Sequence, residues 1–117
     1  MNLLILGDVM GASGRDALKN KLSKVIRKNK IDFVVVNGEN AADDGRGITQ
    51  NIAEEFFLEG VDVITSGNHI WDKKETTDYI DKENRLLRPA NLAECSPVKG
   101  YEIYISKSKK YKICRSI

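Results

Sequence analysis

The sequence predicts an α/β domain: a parallel β-α-β-α-β core followed by a C-terminal antiparallel hairpin. Three observations lead there. Three short apolar runs each end in a turn carrying a glycine and polar residues: Leu3-Leu4-Ile5-Leu6 before Gly7-Asp8, Phe33-Val34-Val35-Val36 before Asn37-Gly38-Glu39-Asn40, and Val61-Asp62-Val63-Ile64-Thr65 before Ser66-Gly67-Asn68-His69. Runs of this length read as strands of a buried parallel sheet. Helical periodicity fills the stretches between them, which implies right-handed crossovers. Finally, Tyr101-Glu102-Ile103-Tyr104-Ile105 alternates as a half-buried strand, and Tyr111-Lys112-Ile113-Cys114 returns against it.

The first strand is expected over residues 1–6. Gly7, Gly11 and Gly14 mark a glycine-rich loop, and Ser13 with Asp16 has the spacing of a capping box. Leu18, Leu22, Val25 and Ile26 then form one apolar stripe of a helix. Lysines and arginines cover its other face and suit its C-terminal end, where cations complement the macrodipole. The second strand is expected over 31–37. A loop of turn-forming residues leads to a helix from about Ile48 to Glu59 that buries Ile48, Ile52, Phe56 and Phe57. Gly60 is placed to stop it. The third strand spans 61–65. After the turn at 66–69, Asp72 and Glu75 suggest a capping box for a short helix reaching Ile80. Residues 85–91, broken by Pro89, read as irregular, and 106–110 as the hairpin turn.

At 117 residues the chain is one domain in size. It can bury roughly 65% of its unfolded surface. With 41% hydrophobic and 31% charged residues it has the composition of a soluble globular protein. Cys95 and Cys114 are too few for a disulfide framework and have no metal-motif spacing, so a reducing, cytoplasmic compartment is expected. No targeting or transmembrane segment is legible. The net charge of +2 is uneven. Lys107, Lys109, Lys110, Lys112 and Arg115 make the end basic with no acid among them, which leaves the rest mildly acidic. A solvated hairpin accounts for that end better than nucleic-acid binding.

Ligands bind outside the carboxyl ends of strands in open α/β sheets. Three strands therefore deliver Asp8, Glu39, Asn40, Asn68 and His69 to one rim. Asp8 alone is a common strand-Gly-Asp turn. Glu39 is more telling, because no helix starts there for it to cap. His69 is the only histidine and sits beside an amide at a strand end. The set is rich in hard oxygen donors and suits Mg²⁺, Mn²⁺ or Fe²⁺. Two such ions about 4 Å apart, sharing one carboxylate, clamp both oxygens of a phosphoryl transfer. Glu39 is the natural bridge, and His69 is then free to protonate a leaving oxygen.

Gly7-Asp8, Asn37-Gly38-Glu39-Asn40-Ala41-Ala42, Gly45-Arg46-Gly47-Ile48-Thr49, Gly67-Asn68-His69-Ile70-Trp71-Asp72 and Arg88-Pro89-Ala90-Asn91 closely resemble the amino-terminal half of a bacterial calcineurin-like metallophosphoesterase family. That family is described as 2′,3′-cyclic-nucleotide 2′-phosphodiesterases. The resemblance is collinear over residues 1–105; 106–117 form a divergent, basic end. It implies a partial calcineurin-like fold and a two-metal site of iron or manganese. Asp8 would bind one metal, Glu39 would bridge, Asn68 would bind the second, Asn40 would lie in the same shell, and His69 would be the catalytic acid.

Members of that family are longer, and their later half brings further histidine ligands; no histidine follows His69 here. The chain is therefore expected to be a truncated domain, an amino-terminal fragment or one piece of a split gene. Alone it should hold metal poorly and hydrolyse a cyclic nucleotide or other phosphodiester weakly or not at all. Exposed apolar sheet would favour homo-oligomers or a second, downstream-encoded fragment. Two other classes remain. One is a phosphate- or nucleotide-binding module using the glycine loop at a helix N-terminus, although its spacing matches neither G-x-G-x-x-G nor the P-loop. The other is a non-catalytic subunit completed by a second chain. Arg46 reads as a solvated loop residue, Trp71 as packing beside the site, and residues 88–91 have no assigned chemistry.

Overall fold

The structure, a computed structural model, describes residues 1–93, 96, 99–106 and 109–114. Cys95 and much of the basic end, including Lys107 and Arg115, lie outside the described residues. The elements run β1 (Leu3–Leu6), α1 (Gly11–Asn29), β2 (Phe33–Asn37), α2 (Gln50–Leu58), β3 (Val63–Thr65), a 3₁₀ turn (Asn68–Trp71), α3 (Lys74–Ile80), β4 (Leu86–Leu87), β5 (Tyr101–Ser106) and β6 (Lys109–Cys114). The first four strands form one parallel sheet in the order β1-β2-β3-β4, and β5-β6 is a separate antiparallel pair. The expected α/β class, parallel core and closing hairpin are all present.

Strand pleating sorts the core into two layers. Val34, Val36, Ile64 and Leu86 join the helix-side cluster with Leu18, Leu22, Phe56 and Ile80. Phe33, Val35, Val63 and Leu87 form the other face, against which Tyr104 and Ile113 of the hairpin pack. The Phe33 and Tyr104 rings lie 5.8 Å apart at 47°. Because β2 is covered on both sides, all five of its residues are buried. That explains its unbroken apolar run, where a half-buried strand would alternate.

Several local expectations are corrected. Helix α1 begins at Gly11, and neither Ser13 nor Asp16 caps it; Met10 holds the N-cap without a side-chain bond. Tertiary backbone replaces the cap, since Gly11 N–H donates to the Asn40 carbonyl at 2.9 Å. Such a partner satisfies an end donor as well as a side chain does. Helix α2 starts at Gln50, two residues late, with the Thr49 hydroxyl accepting from Ile52 N–H at 3.3 Å. Helix α3 lacks the Asp72 cap, because Asp72 bonds His69 instead. The segment read as irregular contains β4, which is two residues long and too short to show a period. Ser106, Lys109 and Lys110 belong to strands, so the expected turn is shorter; 107–108 are not described.

Candidate metal and phosphoester site

The site is built from the carboxyl ends of β1, β2 and β3. Asn37, the last residue of β2, is its organiser, and it was not singled out from the sequence. Its amide Nδ2 donates to Asp8 Oδ1, and its Oδ1 accepts from Glu39 N–H at 3.1 Å. One buried amide therefore ties the turn after β1 to the turn after β2. Val9 N–H donates to the Asn37 carbonyl at 3.1 Å, and Gly38 N–H to the Thr65 carbonyl at 2.9 Å. The three strand ends are thus stitched together by backbone. The Gly7–Asp8 peptide is cis.

Glu39 is buried, at 7% exposure, whereas Asp8 and Asn68 are exposed and Asn40 and His69 are half-buried. Its carboxylate lies against Gly67. A Cβ at Gly67 would fall inside the carboxylate's van der Waals envelope, so only glycine fits there. Glu39 thus meets the residue just before Asn68. Asp8, Glu39 and Asn68 are in this way brought to one rim: Asp8 to Glu39 through Asn37, and Glu39 to the Asn68 turn through Gly67.

His69 follows on the 3₁₀ turn. Its Nδ1 lies 2.9 Å from Asp72 Oδ2, with both side chains about one-third exposed. A carboxylate at Nδ1 fixes the ring's tautomer and leaves Nε2 for chemistry. Histidine and aspartate three residues apart on a tight turn were legible as a pair, yet the capping pattern competed for the same Asp72. Replacing Asp72 with alanine should free the ring. Imidazole ¹⁵N shifts of His69 should then move from the Nδ1–H form toward a tautomer mixture, with the far-UV spectrum unchanged.

The loop from Glu39 to Gly47 closes the site from above. Gly47 N–H donates to the Glu39 carbonyl at 2.7 Å and Ala42 N–H to the Gly47 carbonyl at 2.9 Å. Gly47 has φ +74°, and a Cβ there would meet the His69 carbonyl at 2.9 Å. Arg15 on α1 clamps the loop by donating to the Ala41 carbonyl and Asp43 Oδ1, both at 2.6 Å. Lys73 does the same from the far side through Asp44 Oδ2 at 2.6 Å. The Lys73 ammonium holds the Asp44 carboxyl below the usual carboxylate range. Arg46 is exposed and Trp71 packs on the core, as expected. Arg88, left without a role, is buried, and its guanidinium donates to the Pro89 carbonyl at 2.8 Å.

Among the described residues, no three His, Cys, Asp or Glu side chains converge as a metal cluster. The donors at the rim are instead two carboxylates supplemented by amides. Their hard oxygens fit a divalent cation, but they are few for two ions. The glycine loop weighs against a phosphate cradle. Gly11 N–H is already bonded to Asn40, and Gly11 and Gly14 both lie within α1.

Comparison with known proteins bears on this arrangement. The family model described as YmdB-like protein matches residues 4–116. The chain belongs to the YmdB-like protein family. It is similar to a Bacillus subtilis (strain 168) protein named 2′,3′-cyclic-nucleotide 2′-phosphodiesterase, with 43% identity over 113 residues, 97% of this chain and 42% of that protein. Crystal structures share the fold. One, of a hypothetical protein from Thermus thermophilus, superposes with a TM-score of 0.88 at 34% identity, covering 96% of this chain and 43% of that one. Another, of a phosphatase from Mycoplasma pneumoniae, gives 0.86 at 32%, covering 94% and 40%. The chain therefore spans less than half the length of these YmdB-like relatives. No helix among the described residues is long and apolar enough to cross a membrane.

Proposed function

We propose that this chain carries one half of a metal-dependent phosphodiesterase site for 2′,3′-cyclic nucleotides or a related phosphodiester. The observation that carries the reading is the buried Glu39 carboxylate, fitted against Gly67 just before Asn68, with Asp8 held to the same turn through Asn37. A carboxylate fixed at the carboxyl-end rim of a parallel sheet, where ligands of open α/β sheets bind, offers hard oxygens to a divalent cation. The name of the Bacillus subtilis relative supports the substrate class.

Asp8, Glu39 and Asn68, with Asn40 adjacent, would hold the ions, iron or manganese, and Glu39 would be the shared ligand. When bound, such ions polarise phosphoryl oxygens and make water a nucleophile at neutral pH. The remaining chemistry belongs to the chain. Asn37 holds Asp8 in place by its amide. Asp72 would accept from Nδ1–H and orient the ring so that the imidazolium form donates its Nε2 proton to the leaving oxygen. The Glu39–Gly47 loop, pinned by Arg15 and Lys73, restricts the site from one side. With few donors of its own, the isolated chain is expected to be weakly active at most.

Calorimetric titration of the purified chain with Mn²⁺, repeated on Glu39→Ala, tests this reading. Binding by the native chain that is lost in the variant supports it. Equal binding by both sinks it. Hydrolysis of a 2′,3′-cyclic nucleotide with Mn²⁺ should not exceed that of His69→Ala by more than about tenfold, short of the roughly 10²–10⁴-fold that an effective acid–base group contributes.

A further inference from the structure

Arg46 sits in the Glu39–Gly47 loop between two glycines, Gly45 and Gly47, both at φ +74°. That left-handed backbone strains other residues, so glycine on each side lets the chain turn sharply around Arg46. The turn brings Arg46 to the rim. Gly47 N–H donates to the Glu39 carbonyl at 2.7 Å, so the Arg46–Gly47 peptide lies against the Glu39 backbone. A Cβ on Gly47 would meet the His69 carbonyl at 2.9 Å, so the same stretch abuts the turn that carries the candidate acid. Arg46 thus stands next to the point where the Glu39 and His69 backbones come together.

The acids nearest to it in sequence are already engaged. Arg15 Nη2 holds Asp43 Oδ1 at 2.6 Å, and Lys73 Nζ holds Asp44 Oδ2 at 2.6 Å. The second oxygen of Asp44 accepts from the Arg46 backbone N–H at 3.2 Å, not from its guanidinium. Asp72 is taken by His69 at 2.9 Å. The Arg46 side chain is exposed and has no ion-pair partner among the described residues. An unpaired arginine is ordinary on a protein surface. Here it stands beside a rim whose carboxylates, Asp8 and Glu39, would repel an anionic substrate.

We propose that Arg46 is a substrate-binding residue: its guanidinium takes the non-bridging oxygens of the phosphodiester and holds it against the rim. The inference rests on the proposed function and deepens it, because it names the group that supplies countercharge to the substrate. The planar guanidinium offers paired donors that match two phosphoryl oxygens, where an ammonium offers a point charge. It is also weakly hydrated, so exchanging water for phosphate costs it less. By holding Asp43 and Asp44, Arg15 and Lys73 leave the Arg46 charge for an incoming anion.

The test is titration of the purified chain with adenosine 2′,3′-cyclic phosphate, with and without Mn²⁺, read by calorimetry and, in metal-free samples, by the Arg46 Nε–Hε resonance. That resonance is expected to shift as nucleotide is added. Arg46→Ala should weaken nucleotide binding by about tenfold or more, the loss of one charge-assisted hydrogen bond. Arg46→Lys, which keeps the charge without the fork, should recover only part of it. Both variants should keep the native Mn²⁺ isotherm, circular dichroism and melting midpoint, because Arg46 is exposed and is no metal ligand. Arg27→Ala, at an exposed position in the last turn of α1, should bind nucleotide as the native chain does. Absence of nucleotide binding under both conditions, or equal binding by Arg46→Ala, overturns the proposal. So does an equal loss in Arg27→Ala, which would mark a diffuse attraction to surface charge. Arg46-dependent nucleotide binding by a chain that takes up no Mn²⁺ sinks the metal reading alone. Native Mn²⁺ uptake with nucleotide binding indifferent to Arg46 sinks the Arg46 assignment alone.

Discussion

Gly67→Ala is expected to weaken Mn²⁺ binding by about ten- to hundredfold, the usual effect of disturbing a group that supports a metal ligand. The reason is geometric. The added methyl would occupy the space of the Glu39 carboxylate. Glu39 cannot simply swing away, because it is buried and its own N–H is held by Asn37. Either the carboxylate is displaced or the turn after β3 moves, carrying Asn68 and His69 with it. Gly45→Ala is the control: its φ of +74° makes the change strained, but nothing lies within 4 Å of the new methyl. It should lower stability by about 1–2 kcal/mol and leave the metal isotherm intact. Calorimetry on both variants checks the prediction, and equal affinities would refute it.

Phe56→Ala is expected to destabilise the domain by about 3–5 kcal/mol, the range for emptying a buried aromatic site. Phe56 is 2% exposed and sits in the helix-side core under Gly38, where its Cε2 would lie 3.6 Å from an added Cβ. The turn that carries Glu39 therefore rests on this ring. At roughly 4 °C or more per kcal/mol for a domain near this size, the melting midpoint should fall by more than about 10 °C. Leu58, two residues on but 87% exposed, provides the contrast. Leu58→Ala should stay within about 0.5 kcal/mol. Thermal and urea melts of the two variants distinguish a core residue from its solvent-facing neighbour on the same helix.

The rim was legible because strand ends are marked twice in the sequence. An apolar run stops, and a glycine with polar groups follows. That double mark placed Asp8, Glu39, Asn40, Asn68 and His69 after the right strands. Caps were less legible. Ser13/Asp16 and Asp72/Glu75 both have capping spacing, yet neither pair caps. A side-chain cap competes with any acceptor or donor the fold brings nearby. At α1 the Asn40 carbonyl reaches Gly11 first, and at α3 His69 claims Asp72.

By itself the sequence determined the α/β class, the strand order along the chain and the residues at the three carboxyl ends, because hydrophobic period and glycine placement are local properties. Only the tertiary structure decided that Asn37 couples Asp8 to Glu39 and that Gly67 must stay small for Glu39. Each of these depends on segments far apart in sequence being set side by side in the sheet. Their spacing is set by sheet register and packing, which no local pattern encodes.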